Sequence, residues 1–405
     1  MVPVQRHAIY NDYNGDGASD LAVMTPSVSW YVRALDVGVI SPRIISWNGP
    51  LLGPSPVGVG GVPAAQSVGF IPVTGDYNGD GRCDLASYSP VTKNWAIYST
   101  NALLSNASGL WGWPGEIPVP GDYNGDGWWD LAMYWPAAGK WYIQGVTSTG
   151  RITIAYGTSW GASTMIPVPG DYDGDRRSDL ALWDFSTGRW YIRSVAGSVI
   201  VWGVQWGSSG MIPVPGDYNG DGRADLALYQ ESSGRWYILP VNANGTTGVP
   251  LAFGLAWGYS GAAAVSGDFD GDGCSDLSVY DRLSGAWYIL KIKPAPQVLS
   301  NVGDVVWGGQ GMIPAGVCGL VVANPLSSQF QWHRAGITWQ LIGEGGRAPY
   351  SFVANATMPA GLSLSRSGLI SGTPQTSGSF NINITMNDSN GCSCRSRLTL
   401  TIFSR

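Results

Sequence analysis

Basic charge is what this 405-residue chain has least of: it holds only four lysines, and charged residues of both signs make up 12%. With no concentrated Lys/Arg patch, nothing in it offers the footprint of a nucleic-acid surface. Histidine is almost missing too. His7 and His333 are the only pair, read as surface residues, and no HExxH pair or phosphate-binding Gly loop points to catalysis. No stretch approaches the roughly 18 to 20 apolar residues that span a bilayer, and the opening MVPVQRHAIY lacks the regions of a signal peptide. No CxxC pair has zinc spacing. The five cysteines (Cys83, Cys274, Cys318, Cys392, Cys394) are an odd number, so at least one finds no partner within the chain. Buried thiols throughout are one reading; a bridge from Cys318 to the Cys392/Cys394 pair is the other. Finally, no long segment places apolar residues at helical spacing.

What the chain has instead is 58 glycines, 20 tryptophans and short apolar runs such as LALY, WYIL and LTLTI between Gly, Ser, Asn and Pro clusters. That is the pattern of many short strands and tight turns, and it predicts an all-β protein. The phrase D-[YF]-[ND]-G-D-x-x-x-D-L occurs six times, starting at Asp12, Asp76, Asp122, Asp171, Asp217 and Asp268. The starts lie 64, 46, 49, 46 and 51 residues apart, and the long first interval contains the insertion LLGPSPVGVGGVPAAQS. Around each phrase the same context returns: IPVPGD before it, DLALY after it, a turn such as ESSGR, then WYI, then WG. Four strands per unit and a period near 48 residues describe the blade of a β-propeller. One blade buries too little apolar surface to stand alone, so the blades must pack face to face and close a ring. Trp30, Trp95, Trp141, Trp190, Trp236 and Trp287 recur nine or ten residues after the Leu of each DL pair and are expected in the inter-blade core.

The predicted ring has seven blades, with six as the alternative. GMIP (Gly311 to Pro314) begins another unit that has lost its loop, and Leu320 precedes Phe330 by the interval that separates Leu from Trp elsewhere. In the alternative, LVVANP is the first strand of the domain that follows.

The repeated loop carries the chemistry. Oxygen-bearing side chains stand at position 1 (Asp12, Asp76, Asp122, Asp171, Asp217, Asp268) and position 3 (Asn14, Asn78, Asn124, Asp173, Asn219, Asp270). They return at position 5 (Asp16, Asp80, Asp126, Asp175, Asp221, Asp272) and position 9 (Asp20, Asp84, Asp130, Asp179, Asp225, Asp276). The backbone carbonyl of position 7 (Ala18, Arg82, Trp128, Arg177, Arg223, Cys274) completes the set. This is the spacing of the first nine positions of an EF-hand loop, without its twelfth-position Glu or its helices, and it suits the six to eight hard oxygen ligands of Ca²⁺. Four loops carry three Asp and two carry four, so twenty of the 28 acidic residues lie in them, and carboxylates packed this closely repel one another without a cation. Six calcium ions would turn the formal charge from −6 to +6. The fourth loop has Arg176 where the others have the sixth-position Gly, a replacement that costs about 1 kcal/mol if the backbone must keep a positive φ. Affinities of the order of 10⁻⁴ to 10⁻³ M are expected, as in extracellular modules.

The DYNGDG loop between IPVPG and DLALY resembles the FG-GAP/VCBS repeats of integrin α-chain propellers and of many bacterial surface proteins, over residues 1–335. The resemblance implies a seven-bladed ring, calcium at the loop positions and extracellular adhesive or ligand-binding work. Fungal tandem-repeat lectins are similar propellers. Residues 336–405, with PAGLSLSRSGLISGTP and NDSNG, resemble the Ig-like modules of bacterial surface proteins, a β-sandwich that serves as spacer or adhesion unit. The alternation of Phe380, Ile382 and Ile384 marks a strand with one buried face.

Three functions follow in order of preference. The first is non-catalytic carbohydrate binding or adhesion outside the cell, using a second tryptophan series (Trp111, Trp160, Trp206, Trp257, Trp307), each followed by Gly, as stacking faces or else as caps on the blade core. The second is a structural disc on an Ig-like stalk that contacts other proteins or further copies of itself. The third is a calcium-dependent polysaccharide lyase. The expected partner is a glycan or a cell-surface protein.

Overall fold

A computed structural model describes residues 11–24, 30–36, 39–43, 71–99, 102–281, 284–293, 298–306, 313–315, 321–322, 327–331, 337–341, 343–344, 350–355, 357–387 and 393–403. Every regular element among them is a β-strand. The chain is an all-β protein with a β-propeller followed by an Ig-like domain.

The fifth unit shows how sequence becomes blade. Its sheet runs Ile212–Pro213, Leu226–Gln230, Arg235–Leu239, Ala252–Ala256, each strand antiparallel to the next. In the LALY strand Leu226, Ala227, Leu228 and Tyr229 are all buried, because this strand is covered on both faces. The next strand alternates, with Trp236 and Ile238 buried and Arg235 exposed. The last strand is mostly open to solvent. Burial thus falls from the inner strand to the outer one, as the change from continuous to alternating apolar pattern requires. Trp236 shares its core with Val214 and Ala227 of its own sheet and with Leu277 and Val279 of the next, so the tryptophans seal the layers between sheets, as the spacing predicts. Trp95, Trp141, Trp190 and Trp287 are buried in the same way.

Five sheets of this kind have four strands, over the first, third, fourth, fifth and sixth loops. The sheet over the second loop has five, because its outer edge consists of two short pieces, Ala102–Leu103 and Gly109–Leu110, both paired with Asn94–Ser99. The seven-blade expectation is not met. Ile313–Pro314, expected to open a seventh blade, instead pairs with Leu21–Met24 and fills the inner place of the first sheet. Phe330 does not repeat the blade tryptophan either: its strand, Ser327–Gln331, runs parallel to Ser393–Phe403 in the C-terminal sheet. The physical reason is edge satisfaction. Leu21–Met24 has an open backbone edge, and the IP pair from the far end of the repeats supplies its hydrogen bonds. Val321–Val322 pairs with Gly343–Glu344, so LVVANP also leaves the blade pattern.

The Ig-like domain has one sheet ordered Ser327–Gln331, Ser393–Phe403, Gly378–Asn387, Ser351–Ala354 and a second of Ile337–Gln340, Leu369–Gly372, Leu362–Leu364. Ile382, Ile384, Leu400 and Ile370 are buried in its core, with Phe380 packed against it, as the alternation predicts.

The sheets are joined by a feature at their loop ends. The amide of position 8 in each loop donates to the carbonyl of position 1 in the loop before: Cys83 to Asp12 (2.7 Å), Trp129 to Asp76, Ser178 to Asp122, Ala224 to Asp171 and Ser275 to Asp217 (2.6 Å each). Ser19 closes the cycle by donating to Asp268 at 2.5 Å. Each position-8 side chain then lies over the residue that precedes the neighbouring loop. A Cβ on Gly216 would come within 2.5 Å of Ser275 Oγ. The Gly of IPVPGD is therefore a clearance for the next blade. Gly216→Ala should lower stability by about 1 to 3 kcal/mol through overpacking, and adding Ser275→Gly should restore most of it. Thermal unfolding of the single and double variants measures this; equal melting of Gly216→Ala and wild type would contradict it.

Candidate metal loops and the blade seams

Each loop is built before any ion arrives. In the fifth, Oδ1 of Asp217 accepts the amide of Gly220 at 2.7 Å and Oδ2 that of Gly222 at 2.7 Å, while Oδ2 of Asp225 accepts the amide of Tyr218 at 2.8 Å. The amide of Arg223 donates to Asp221 Oδ1 at 3.0 Å. The amide of Asp225 donates to the Gly216 carbonyl at 2.8 Å, which shuts the base of the loop. The second position holds the loop down on the blade: the Tyr218 hydroxyl donates to the Val214 carbonyl at 3.0 Å, and Tyr77, Tyr123 and Tyr172 repeat that bond. The same carboxylate pattern returns in the other loops, so spacing alone fixes their geometry. In the fourth loop Arg176 keeps the glycine conformation, with φ of 70°, and its amide still donates to Asp171 Oδ2 at 2.8 Å. The strain expected from the sequence is present, held by that bond.

The predicted side-chain ligands converge. Ligand atoms of Asp171, Asp173 and Asp179, and of Asp268, Asp270 and Asp276, lie within 4.8 Å of one another. In the first loop Asn14 Nδ2 donates to Asp16 Oδ2 at 3.1 Å and to Asp20 Oδ1 at 3.4 Å, so positions 3, 5 and 9 meet there too. Asp225 Oδ1 is buried with no hydrogen bond of ordinary geometry, an oxygen of the kind a cation satisfies. All-oxygen donors at this spacing fit a hard divalent cation. The position-7 residues, predicted through their carbonyls, also act through their side chains. Arg82, Trp128, Arg177, Arg223 and Cys274 lie over Gly15, Gly79, Gly125, Gly174 and Gly220 of the preceding loop, and Arg223 pairs with Asp221 of its own loop at 2.7 Å.

Burial sets the electrostatics. It pushes Asp84 up to about 7 and Asp130, Asp179, Asp225 and Asp276 up to about 8, with neighbouring carboxylates adding to the shift. Asp268 rises to about 6 by the same desolvation. Without a cation the folded loops hold protons that an unfolded chain has released above its ordinary value of 3.8. That contribution to stability is full below about pH 4 and is lost as pH rises through 7 to 8. The metal-stripped protein should therefore melt at a falling temperature from pH 5 to pH 9, and excess divalent cation should flatten the profile, as read by calorimetry. A stripped protein with a constant melting point over that range would contradict the electrostatic account.

The second tryptophan series sits at the seams between sheets. Trp111, Trp160, Trp206 and Trp257 are half-buried against the blade cores. Their carbonyls accept the indole N–H of Trp95, Trp141, Trp190 and Trp236. They are fixed as caps on the core, with only part of each ring open. Trp307, His7, His333, Cys318 and Cys392 lie outside the described residues. The sequence reading missed the exposed rings beside them. Tyr156, Trp202 and Phe253 stand on the outermost strands with 74%, 68% and 78% exposure. Each stacks edge-on against the Tyr of a WYI, with centroids 5.3 Å apart for Tyr142–Tyr156 and Tyr191–Trp202 and 5.5 Å for Tyr237–Phe253. A third ring from the preceding blade completes each group: Trp113 5.1 Å from Tyr142, Trp160 5.8 Å from Trp202, Trp206 5.9 Å from Phe253. The signal was in the sequence, since Tyr156, Trp202 and Phe253 each fall four residues before a WG tryptophan. The Arg193 guanidinium adds a cation 5.4 Å from the Trp160 ring.

Two family models match parts of the chain. Residues 171–228 and 217–279 match the family "FG-GAP-like repeat", and residues 319–403 match the family "Putative Ig domain". No curated protein matches the chain. Among solved structures, a lectin from Agrocybe aegerita described as recognising non-reducing terminal N-acetylglucosamine is 16% identical over 71% of this chain and 78% of its own, with a TM-score of 0.44. A Lactobacillus plantarum protein is 12% identical over 95% and 96%, with a TM-score of 0.40. A "putative alpha-galactosidase" from Bacteroides fragilis is 21% identical, with a TM-score of 0.19, over 21% of this chain and 17% of that one, so this chain spans about a sixth of its length. Residues 171–279 of this chain are FG-GAP-like repeats of a β-propeller, and residues 319–403 form its Ig-like domain.

Proposed function

We propose that this chain is a non-catalytic, extracellular binding module: six blades closed into one ring, calcium in the DYNGDG loops as a structural ligand, and carbohydrate bound at the blade seams. The observation that supports sugar binding is the threefold recurrence of an exposed aromatic group at consecutive seams. An aromatic face costs little to desolvate against the C–H face of a sugar ring, and the carbonyls and hydroxyls around it supply orientation. Three such groups in series favour multivalent capture, in which each weak contact strengthens the next. Support for calcium comes from the convergent carboxylates and the buried oxygen of Asp225, and support for six blades from the closed cycle of loop hydrogen bonds. The Ig-like domain then acts as a spacer.

A glycan array in excess calcium tests the binding reading. A hit should weaken about tenfold or more in Trp202→Ala and in Phe253→Ala. The melting temperature should stay near that of wild type, because both rings are mostly exposed. Undiminished binding by both variants would remove the seams from the site. Self-association with concentration and no glycan hit would favour a protein-contact role for the same exposed outer strands.

A further inference from the structure

The sixth loop faces a lysine where the other described blades present a short or neutral side chain. The residue 21 places after loop position 3 lies beside that position. In the second blade Asn78 Nδ2 donates to Ser99 Oγ at 2.6 Å, and in the third a Cβ on Gly145 would lie 3.3 Å from Asn124 Nδ2. Ser194 and Pro240 hold the same place in the fourth and fifth units. In the sixth it is Lys291, on the strand Ala286–Lys293. Its ammonium contacts Asp270 Oδ2 and lies 2.6 Å from Asp272 Oδ2, on a side chain only 12% exposed.

These are the oxygens that the loop itself leaves free. Asp270 Oδ1 accepts the Asp272 amide at 3.3 Å and Asp272 Oδ1 accepts the Cys274 amide at 3.0 Å, which leaves both Oδ2 atoms for a cation. In four of the other five loops a neutral Asn fills position 3 and its Nδ2 donates to the fifth-position Oδ2, as Asn124 does to Asp126 at 2.9 Å; in the fifth loop Arg223 also pairs with Asp221 Oδ2 at 2.7 Å, whereas Lys291 bridges two carboxylates. An asparagine can turn its carbonyl oxygen toward an incoming metal. An ammonium has three donors and no acceptor, so it can only compete. The fourth loop also has four aspartates, but the equivalent residue there is the short, neutral Ser194.

We propose that Lys291 is the resident cation of the sixth loop, which stays lysine-filled at calcium concentrations that load the other five. This rests on the calcium reading for those five loops. Its consequence is a propeller whose loops respond unequally to calcium, with the loop beside the ring closure held independently of the ion.

Native mass spectrometry over rising calcium tests it. The sixth ion should bind wild type at least about tenfold more weakly than Lys291→Met, so that wild type stops at five where the variant holds six. Six ions of similar affinity in wild type would overturn the proposal and leave the calcium reading intact. Five in both proteins would also overturn it, since the lysine would not be what keeps the loop closed. No ions in either would overturn the calcium reading and the proposal with it. Should Lys291→Met fail to fold, acylation of wild type by acetic anhydride decides: Lys291 should resist labelling with and without calcium, and calcium-induced labelling would overturn the assignment.

Discussion

The hydrogen bond from position 8 of one loop to the position-1 carbonyl of the loop before is the contact on which the rest of the propeller depends. It joins neighbouring sheets through backbone, so among substitutions only proline at position 8 removes its donor, and its acceptor belongs to a residue whose carboxylate also organises its own loop. Folding a loop and docking it on its neighbour are therefore one event. A buried backbone bond of this kind adds about 1 kcal/mol, but leaving its groups unpaired costs more, so a blade out of place loses on both sides. The Gly before each loop serves the same contact. Where Asn11 replaces that Gly, it adopts φ of 64°, and its amide donates to Cys83 Sγ at 3.1 Å.

Charge is the second constraint. A set of loops that holds most of the acid of a weakly charged chain would resist closure if every carboxylate stayed ionised and bare. Three solutions coexist. Neutral Asn replaces Asp at position 3 in four loops, Arg223 at position 7 pairs with Asp221 of its own loop, and Lys291 reaches into the sixth. What remains is partly met by protons, which is why buried position-9 carboxyls sit near neutrality without a metal.

Much of this was legible in the sequence. Period, turn chemistry and the switch from LALY to WYI gave the strands and the core tryptophans, because both depend on local pattern and on burial. The loop geometry was legible for the same reason: spacing within nine residues determines where its oxygens point. The misreadings concern contacts that cross the chain. Ile313–Pro314 looks like the start of a blade and serves as the inner strand of the first sheet, because strand pairing follows open edges and not sequence order. The 10-residue interval from Leu320 to Phe330 matched the repeat by coincidence. Lys291 lies far along the chain from the acid it meets, and only strand register brings the two together. The seam aromatics had a period, four residues before each WG, but their exposure depends on which strand is outermost. Of the Trp residues chosen as stacking faces, Trp160 and Trp206 pack against those exposed rings while their carbonyls accept from core indoles.

The central claim is that the six loops form one closed circle, with Ser19 joined to Asp268 as firmly as any other pair. Hydrogen exchange at the amides of Ser19, Cys83, Trp129, Ser178, Ala224 and Ser275 tests it most directly. Closure predicts that all six exchange at one slow rate set by global unfolding. A Ser19 amide that exchanges far faster than the other five would contradict it, and would mean an open arc of blades.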